Sequence, residues 1–245
     1  MRIRLTYLIA VFFFLPALLL ADQKGREIMK KNDALKEPQT RKGVSVMVVF
    51  KGSKKELKEF EMVSKKYGKK TRSRSTFLKP TRIEFLSWSE PGEDSLQWIK
   101  LSGGTVRKIA SSDKGGSFVG SHFYYVDMQD RDIDDYDYKY LGEESVNGTP
   151  CFKIESVKKK GTKVYVKTIV YIRKSDYFMI KAEFFENNGH TKTLETDKIE
   201  TIDGIITARK ITMSRTDGKG KTIIYIKKVE YDKPVSDQFL KKESL

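Results

Sequence analysis

Residues 178–185 read Phe178-Met179-Ile180-Lys181-Ala182-Glu183-Phe184-Phe185. Successive side chains of a β-strand point to opposite faces, so a period of two marks a strand with one buried and one wet face. Phe178, Ile180, Ala182 and Phe184 fall on one face; Lys181, Glu183 and Phe185 mostly fall on the other. The pattern continues outward. Upstream, Phe152 and Ile154 alternate with Cys151, Lys153 and Glu155. Downstream, Asn187-Asn188-Gly189 supplies residues that tolerate the left-handed backbone of a tight hairpin. Further strand signals run over Val44–Phe50, Glu56–Lys66, Thr71–Leu78, Arg82–Trp88, Ser95–Leu101, Lys163–Ile172, Thr191–Ile202, Ile205–Met213 and Lys221–Tyr231. Short turns at Tyr67-Gly68-Lys69, Asp203-Gly204 and Asp217-Gly218-Lys219-Gly220 separate several of them.

The sum is about ten to eleven strands with short connections, which requires antiparallel pairing. A sheet of that size curls, so the expected class is mainly β: one curled antiparallel sheet forming a barrel or part of one. One helix is expected over residues 23–36, with Ile28, Met29 and Leu35 near one face and Pro38 as the stop.

The start is different in kind. Met1-Arg2-Ile3-Arg4 precedes a 16-residue apolar run, Leu5–Leu20, and then Ala21-Asp22. A basic start, a short apolar run and a small residue at the junction are the parts of a secretory signal peptide. Residues 1–21 are therefore expected to be removed on export, leaving 22–245. No linker or composition break divides that remainder, which reads as one domain.

Composition narrows the chemistry. One Cys among 245 residues excludes a disulfide framework and a Cys-based zinc site. The two histidines, His122 and His190, are far apart, and both read as rim or surface residues. Cys151 reads as a buried structural thiol. Asp130, Asp132 and Asp134 match the first alternating ligands of an EF-hand loop, but Asp135 stands where Gly is required and Leu141 where Glu is required. Gly103-Gly104 and Gly115-Gly116 lack the flanking strand, helix and Lys-Ser/Thr of a phosphate loop, and read as turns. No nucleophile elbow occurs. No catalytic constellation and no cofactor is expected. The formal net charge of +15 reads as a Lys-rich solvated surface with attraction to anionic lipid; export argues against nucleic acid.

Ala110–Tyr138 breaks the strand rhythm. It combines Gly115, Gly116 and Gly120 with Phe118, Phe123, Tyr124, Tyr125 and Met128, and then a run of acids. So long a loop in a β domain is expected to be a lid or a functional segment.

The block Ser111-Ser112-Asp113-Lys114-Gly115-Gly116-Ser117-Phe118-Val119-Gly120-Ser121, followed by Phe123-Tyr124-Tyr125-Val126-Asp127-Met128, resembles the bacterial outer-membrane lipoprotein-sorting proteins, relatives of the LolA/LolB carriers. Gly25-Arg26-Glu27-Ile28-Met29, Gln97-Trp98, Val106-Arg107-Lys108-Ile109, Leu141–Cys151 and Ile202-Asp203-Gly204-Ile205 extend the resemblance along the mature chain. It departs around Phe77–Phe85, at His122, where an acid is common, and at Val126-Asp127-Met128, where Glu-Asp-Leu is usual.

The resemblance implies a half-open β-barrel with a few helices as lid and a hydrophobic cavity for acyl chains. It implies a non-catalytic periplasmic carrier of lipoproteins or other lipids, with an inner-membrane transporter complex as donor and an outer-membrane acceptor. Phe118, Phe123, Tyr124, Tyr125 and Met128 are the expected cover; Phe152, Ile154, Ile180, Ala182 and Phe184 are the expected cavity wall. The alternative is an envelope sensor or adaptor of the same fold that binds a partner protein or an inner-membrane lipid exporter.

Overall fold

The structure, a computed structural model, describes the backbone of residues 14–245 and the side chains of residues 22–245. The expected signal segment, 1–21, lies outside the residues whose side chains are described. A helix, α1 (Phe14–Asp33), is followed by β1 (Thr40–Lys51), β2 (Lys54–Tyr67), β3 (Lys70–Lys79), β4 (Ile83–Ser89), β5 (Leu96–Lys100) and β6 (Val106–Lys108). A long segment of short 3-10 turns then leads to β7 (Tyr136–Val146), β8 (Thr149–Lys158), β9 (Lys167–Arg173), β10 (Met179–Glu186), β11 (Gly189–Ile202), β12 (Ile205–Arg215) and β13 (Gly220–Tyr231).

All thirteen strands form one antiparallel sheet in the order β6-β5-β4-β3-β2-β1-β13-β12-β11-β10-β9-β8-β7. The sheet is not closed. Its first and last strands pair with each other in the middle, β1 against β13 from Arg41↔Tyr231 to Lys51↔Gly220. Its two free edges, β6 and β7, are consecutive in sequence. The connection between them, residues 109–135, must therefore cross the concave side of the sheet.

The strand count exceeds the expected ten to eleven by β6 and β7. β7 begins inside the stretch read as loop: Tyr136, Tyr138 and Tyr140 alternate with Asp137 and Lys139, and Tyr136 and Tyr138 are buried. β6 has only three residues, all exposed, and owes its form to pairing with β5. The helix ends at Asp33, three residues short of the expected limit, with Lys30 and Lys31 in its last turn facing the negative end of the helix dipole.

The core lies on the concave side. Met47, Val49, Phe60, Phe77, Phe85, Ile154, Val170, Ile172, Ala182, Phe184 and Met213 pack there with Ile28 of α1. α1 lies along β7, and its Gly25 is pressed so close that an added Cβ would stand 2.9 Å from the Tyr140 nitrogen. Arg26 reaches Asp134 at 2.5 Å, Asn32 donates to the Tyr177 carbonyl at 2.8 Å, and Lys36 donates to the Asp203 carbonyl at 2.6 Å. The helix thus covers one mouth of the curled sheet.

A second apolar cluster lies on the outer face: Val146, Cys151, Ile169, Tyr171 and Ile180, with Phe178, Phe185 and Ile199 against it. This corrects the simple alternation of residues 178–185. Met179 pairs with Ile172 and Lys181 with Tyr171, so Ile180 is an extra residue in a bulge. A bulge reverses the faces on either side of it. Phe178 and Ile180 turn outward, while Met179, Ala182 and Phe184 turn inward. The C-terminal tail covers another part of the outer face, where Arg74 pairs with Glu84 and donates to the carbonyls of Phe239 and Ser244.

Candidate functional site

The crossing segment is an ordered strap. Its first part is tied to β5: Gln97 donates to the Tyr125 carbonyl at 2.9 Å, and Lys114 donates to the Ser95 carbonyl at 2.5 Å and to its hydroxyl at 2.9 Å. Within the strap, Phe118 N–H bonds the Phe123 carbonyl and Val126 N–H bonds the Lys114 carbonyl. Val119 and Gly120 are successive left-handed residues that turn the chain back on itself. For the β-branched Val119 such a conformation is strained. The far side is tied to β13 and β11. The His122 N–H donates to the Thr222 hydroxyl at 3.0 Å, and the Lys192 ammonium meets the Asp127 carboxylate at 3.2 Å.

Those anchors are unusual groups to bury. Lys192 is 1% exposed and Asp127 7%. The ammonium also stands 3.2 Å over the Tyr124 ring, and Asp127 accepts hydrogen bonds from the Tyr165 hydroxyl at 2.7 Å and the Tyr124 N–H at 2.7 Å. Burial drives the Lys192 pKa down, against the pull of Asp127, and drives those of Tyr165 and Tyr124 up. Lys114 has only neutral partners, and burial lowers its pKa to about 8. His122, expected on the rim, is buried against Thr222, and burial lowers its pKa.

The strap's aromatics fill one half of the concave interior. Phe118 packs edge-on to Phe85 at 4.9 Å and to Phe77 at 5.8 Å, and Tyr125 packs on Phe118 at 5.9 Å. Phe118, Phe123 and Tyr125 are buried in the core; Met128 packs against it; Tyr124 is half-buried, stacked on Tyr165. Of the expected wall residues, Ile154, Ala182 and Phe184 are buried on the concave side and Phe152 packs against that cluster, whereas Ile180 is on the opposite face.

Two of the cavities among the described residues are walled by the concave core. One, of about 180 Å³, lies under the far end of the strap and is lined by Phe123, Tyr165, Ala182, Phe184 and Leu194. The larger, of about 420 Å³, lies between α1 and the concave face. Its apolar wall includes Met29, Met62, Val170, Met179, Ala208 and Ile211; Arg41, Thr207 and Tyr231 form a polar part. Met179 and Arg131 line both cavities. Arg131 donates to Ser156 at 3.1 Å and stacks on Tyr136 at 4.3 Å. Sequence reasoning missed this larger cavity, because its wall comes from the helix and from strands far apart in the chain.

The seam between the sheet's edges is held by a polar clasp. Asp94, before β5, accepts from Lys158 at 2.7 Å and from the Thr162 hydroxyl at 2.6 Å. Burial opposes ionisation of Asp94, yet these hydrogen bonds bring its pKa down to about 2. Among the described residues no three His, Cys, Asp or Glu side chains converge as a metal site requires, and no helix is long and apolar enough to cross a membrane.

Comparison with known proteins places this architecture. A family model described as "uncharacterized protein" matches residues 69–245. A DUF1329 family protein from Desulfovibrio piger is 27% identical, with a TM-score of 0.88 over 92% of this chain and 99% of its own. A domain from Vibrio parahaemolyticus named for outer membrane lipoprotein sorting is 23% identical, with a TM-score of 0.86 over 91% of this chain and 98% of its own. A LolA superfamily protein from Nitrosomonas europaea is 16% identical, with a TM-score of 0.71 over 90% of this chain and 99% of its own. The fold is thus LolA-like. No curated protein sequence matches the chain.

Proposed function

We propose that this chain, which belongs to the family whose model matches residues 69–245, is a non-catalytic carrier that shields acyl chains of lipids or lipoproteins during transfer across the periplasm toward the outer membrane. The observation that carries this reading is the cavity of about 420 Å³ between α1 and the concave sheet. Its volume falls in the range of small-molecule sites, about 300–1,000 Å³, and its wall is mostly apolar. Each buried CH₂ is worth ~0.8 kcal/mol, so an acyl chain of about 16 carbons carries on the order of 12 kcal/mol of aversion to water. A carrier must cover that surface and then give it up. α1 supports such a role: beside the packed Ile28 and Gly25, it is tied to the mouth by the exposed contacts Arg26–Asp134 and Lys31–Tyr177, which break more readily than a packed core.

The signal-peptide reading of residues 1–21 supports export, and the excess of basic residues, which loss of Arg2 and Arg4 with that segment reduces only slightly from +15, favours transient contact with anionic membranes, an inner-membrane donor and an outer-membrane acceptor among them. Native mass spectrometry with lipid extraction, on chain purified from a periplasmic fraction without detergent, tests the proposal. A stoichiometric lipid or acylated peptide is the expected result. A clean apo mass that persists after incubation with envelope lipids and lipoproteins overturns it and favours an adaptor. The strap that packs half of the interior is the feature an adaptor would share.

A further inference from the structure

The larger cavity has two chemically distinct ends. Met29, Met62, Val170, Met179, Ala208 and Ile211 form an apolar wall, and Arg41 stands at its polar part beside Tyr231 and Thr207. Arg41 shares its face of β1 with the core residues Met47 and Val49. Its guanidinium lies 5.5 Å over the Tyr231 ring, whose hydroxyl is fixed 2.6 Å from the Thr207 hydroxyl. Its Nε–H is sealed from water and meets no acceptor among the described residues. A guanidinium is always charged and presents a planar fork of donors suited to carboxylate or phosphate. Leaving such a buried donor unmet is unfavourable.

The two carboxylates on the cavity wall do not meet it. Glu37 pairs with Lys66. The Asp33 carboxyl is pushed up by burial and by the like charges of Glu37 and Asp132, the direction opposite to that of a guanidinium contact. Lys36 is engaged with the Asp203 carbonyl and Arg131 with Ser156.

Arg41 also ends a polar row. Ser64 stands across from it on β2, Ser73 across from Ser64 on β3, Ser87 on β4 and Gln97 on β5, all in one register. Ser87 Oγ and Gln97 Oε1 are likewise buried without partners. Only the Arg41 end of this row lines the larger cavity; its other end, at Gln97, lies beneath the strap.

We propose that this cavity is an anionic-amphiphile site, in which Arg41 binds the carboxylate or phosphate head of a single-chain lipid whose tail lies along the apolar wall. The inference rests on the carrier reading and sharpens it. The acylated terminus of a lipoprotein carries no such anion, so the preferred cargo is an anionic lipid.

The test uses the full mature chain and competition against a neutral pyrene-labelled acyl ester. Competitors are palmitate, lysophosphatidate, methyl palmitate and inorganic phosphate. Palmitate and lysophosphatidate are expected to bind at least about tenfold tighter than methyl palmitate. Arg41→Met is expected to abolish that preference while leaving the ester's affinity within about twofold, and the unchanged ester affinity shows that the variant is folded. If Arg41→Met does not fold, Arg41→Lys, with the preference reduced but present, serves in its place. Equal binding of acid and ester by the wild type, or a preference that survives Arg41→Met, overturns the head-group assignment and leaves the carrier reading standing. Inorganic phosphate competing as well as lysophosphatidate overturns the lipid source of the anion. Failure of the probe to bind at all overturns both readings.

Discussion

The Lys192 ammonium lies 3.2 Å from the Asp127 carboxylate and 3.2 Å above the centre of the Tyr124 ring. One group comes from the strap and the other from β11, so this contact pins the strap across the interior. Removing one partner of a buried pair strands the other charge. Asp127→Asn leaves a buried ammonium and is expected to cost about 3–5 kcal/mol. Lys192→Met leaves Asp127 with hydrogen bonds from Tyr165 and Tyr124, and is expected to cost only about 1–2 kcal/mol. Urea unfolding of the two variants measures the asymmetry; equal costs would remove the asymmetry, and a negligible cost in both would remove the pinning role.

Lys114 makes stability depend on alkaline pH. Its folded pKa, about 8, lies below the ordinary 10.5 because burial disfavours the ammonium. Between those values the unfolded chain holds more protons than the folded one, so stability rises with pH. The rise has a slope of no more than about 1.4 kcal/mol per pH unit. Near pH 10 it is overtaken, because Tyr125, Tyr138 and Tyr165 have raised pKa values and the folded state then holds more protons. Thermal melts from pH 7.5 to 9.5 should show the rise in the wild type and a flatter profile in Lys114→Met.

The Asp94 clasp responds to acid. A folded pKa of about 2 against an ordinary 3.8 means stabilisation that is full above pH 4 and lost as pH falls toward 2. Asp94→Asn should remove this acid dependence. It should also raise amide exchange in residues 158–166, the side of the seam that the carboxylate holds. Unchanged exchange there would mean that the seam is closed by other contacts.

Gly25 sets the height of α1 over β7. A Cβ there meets the backbone at Tyr140 and Lys139, which cannot swing aside as a side chain would. Gly25→Leu is expected to lift the helix and cost about 1–3 kcal/mol. Faster exchange of bound lipid should accompany the loss, measurable as the off-rate of the pyrene ester.

Ala208 faces the larger cavity and is itself buried. Ala208→Phe places atoms in empty space, so stability should hold or rise by up to about 1 kcal/mol while lipid occupancy falls severalfold. Loss of both together would mean that the side chain cannot enter the cavity.

Much of the fold was legible in sequence because alternation is local. A strand with one buried face shows its period in five or six residues, as Phe152–Ile154 and Ala182–Phe184 do. The Ile180 bulge was not legible, since an extra residue exists only relative to the pairing with β9. Nor was β6, which is too short to have a period. β7 did carry a signal, its alternating tyrosines, but the neighbouring acids disguised it. The lysines carry no local sign of burial: Lys114 stands among serines and glycines and Lys192 between two threonines, and only the folded sheet reveals that each is enclosed. The larger cavity has no local signature at all. Met29, Met62, Ala208 and Ile211 meet only after α1 and distant strands have come together.

The pairing of β1 with β13 also shapes how the chain folds. Every other neighbouring pair of strands is a hairpin between consecutive elements, so its contacts close short loops. Only this pair joins residues nearly two hundred positions apart, as in Arg41↔Tyr231. Loop-closure entropy makes such a contact slow to form. Gln39 and Asp232 are in hydrogen-bond contact, at 2.7 Å, at the end of that pair. A circular permutant in which a flexible linker joins the C-terminal tail to the start of α1, and which is opened within the strap, would order the strands as a meander from β7 to β6. It should fold faster than the natural chain while keeping the same strand order.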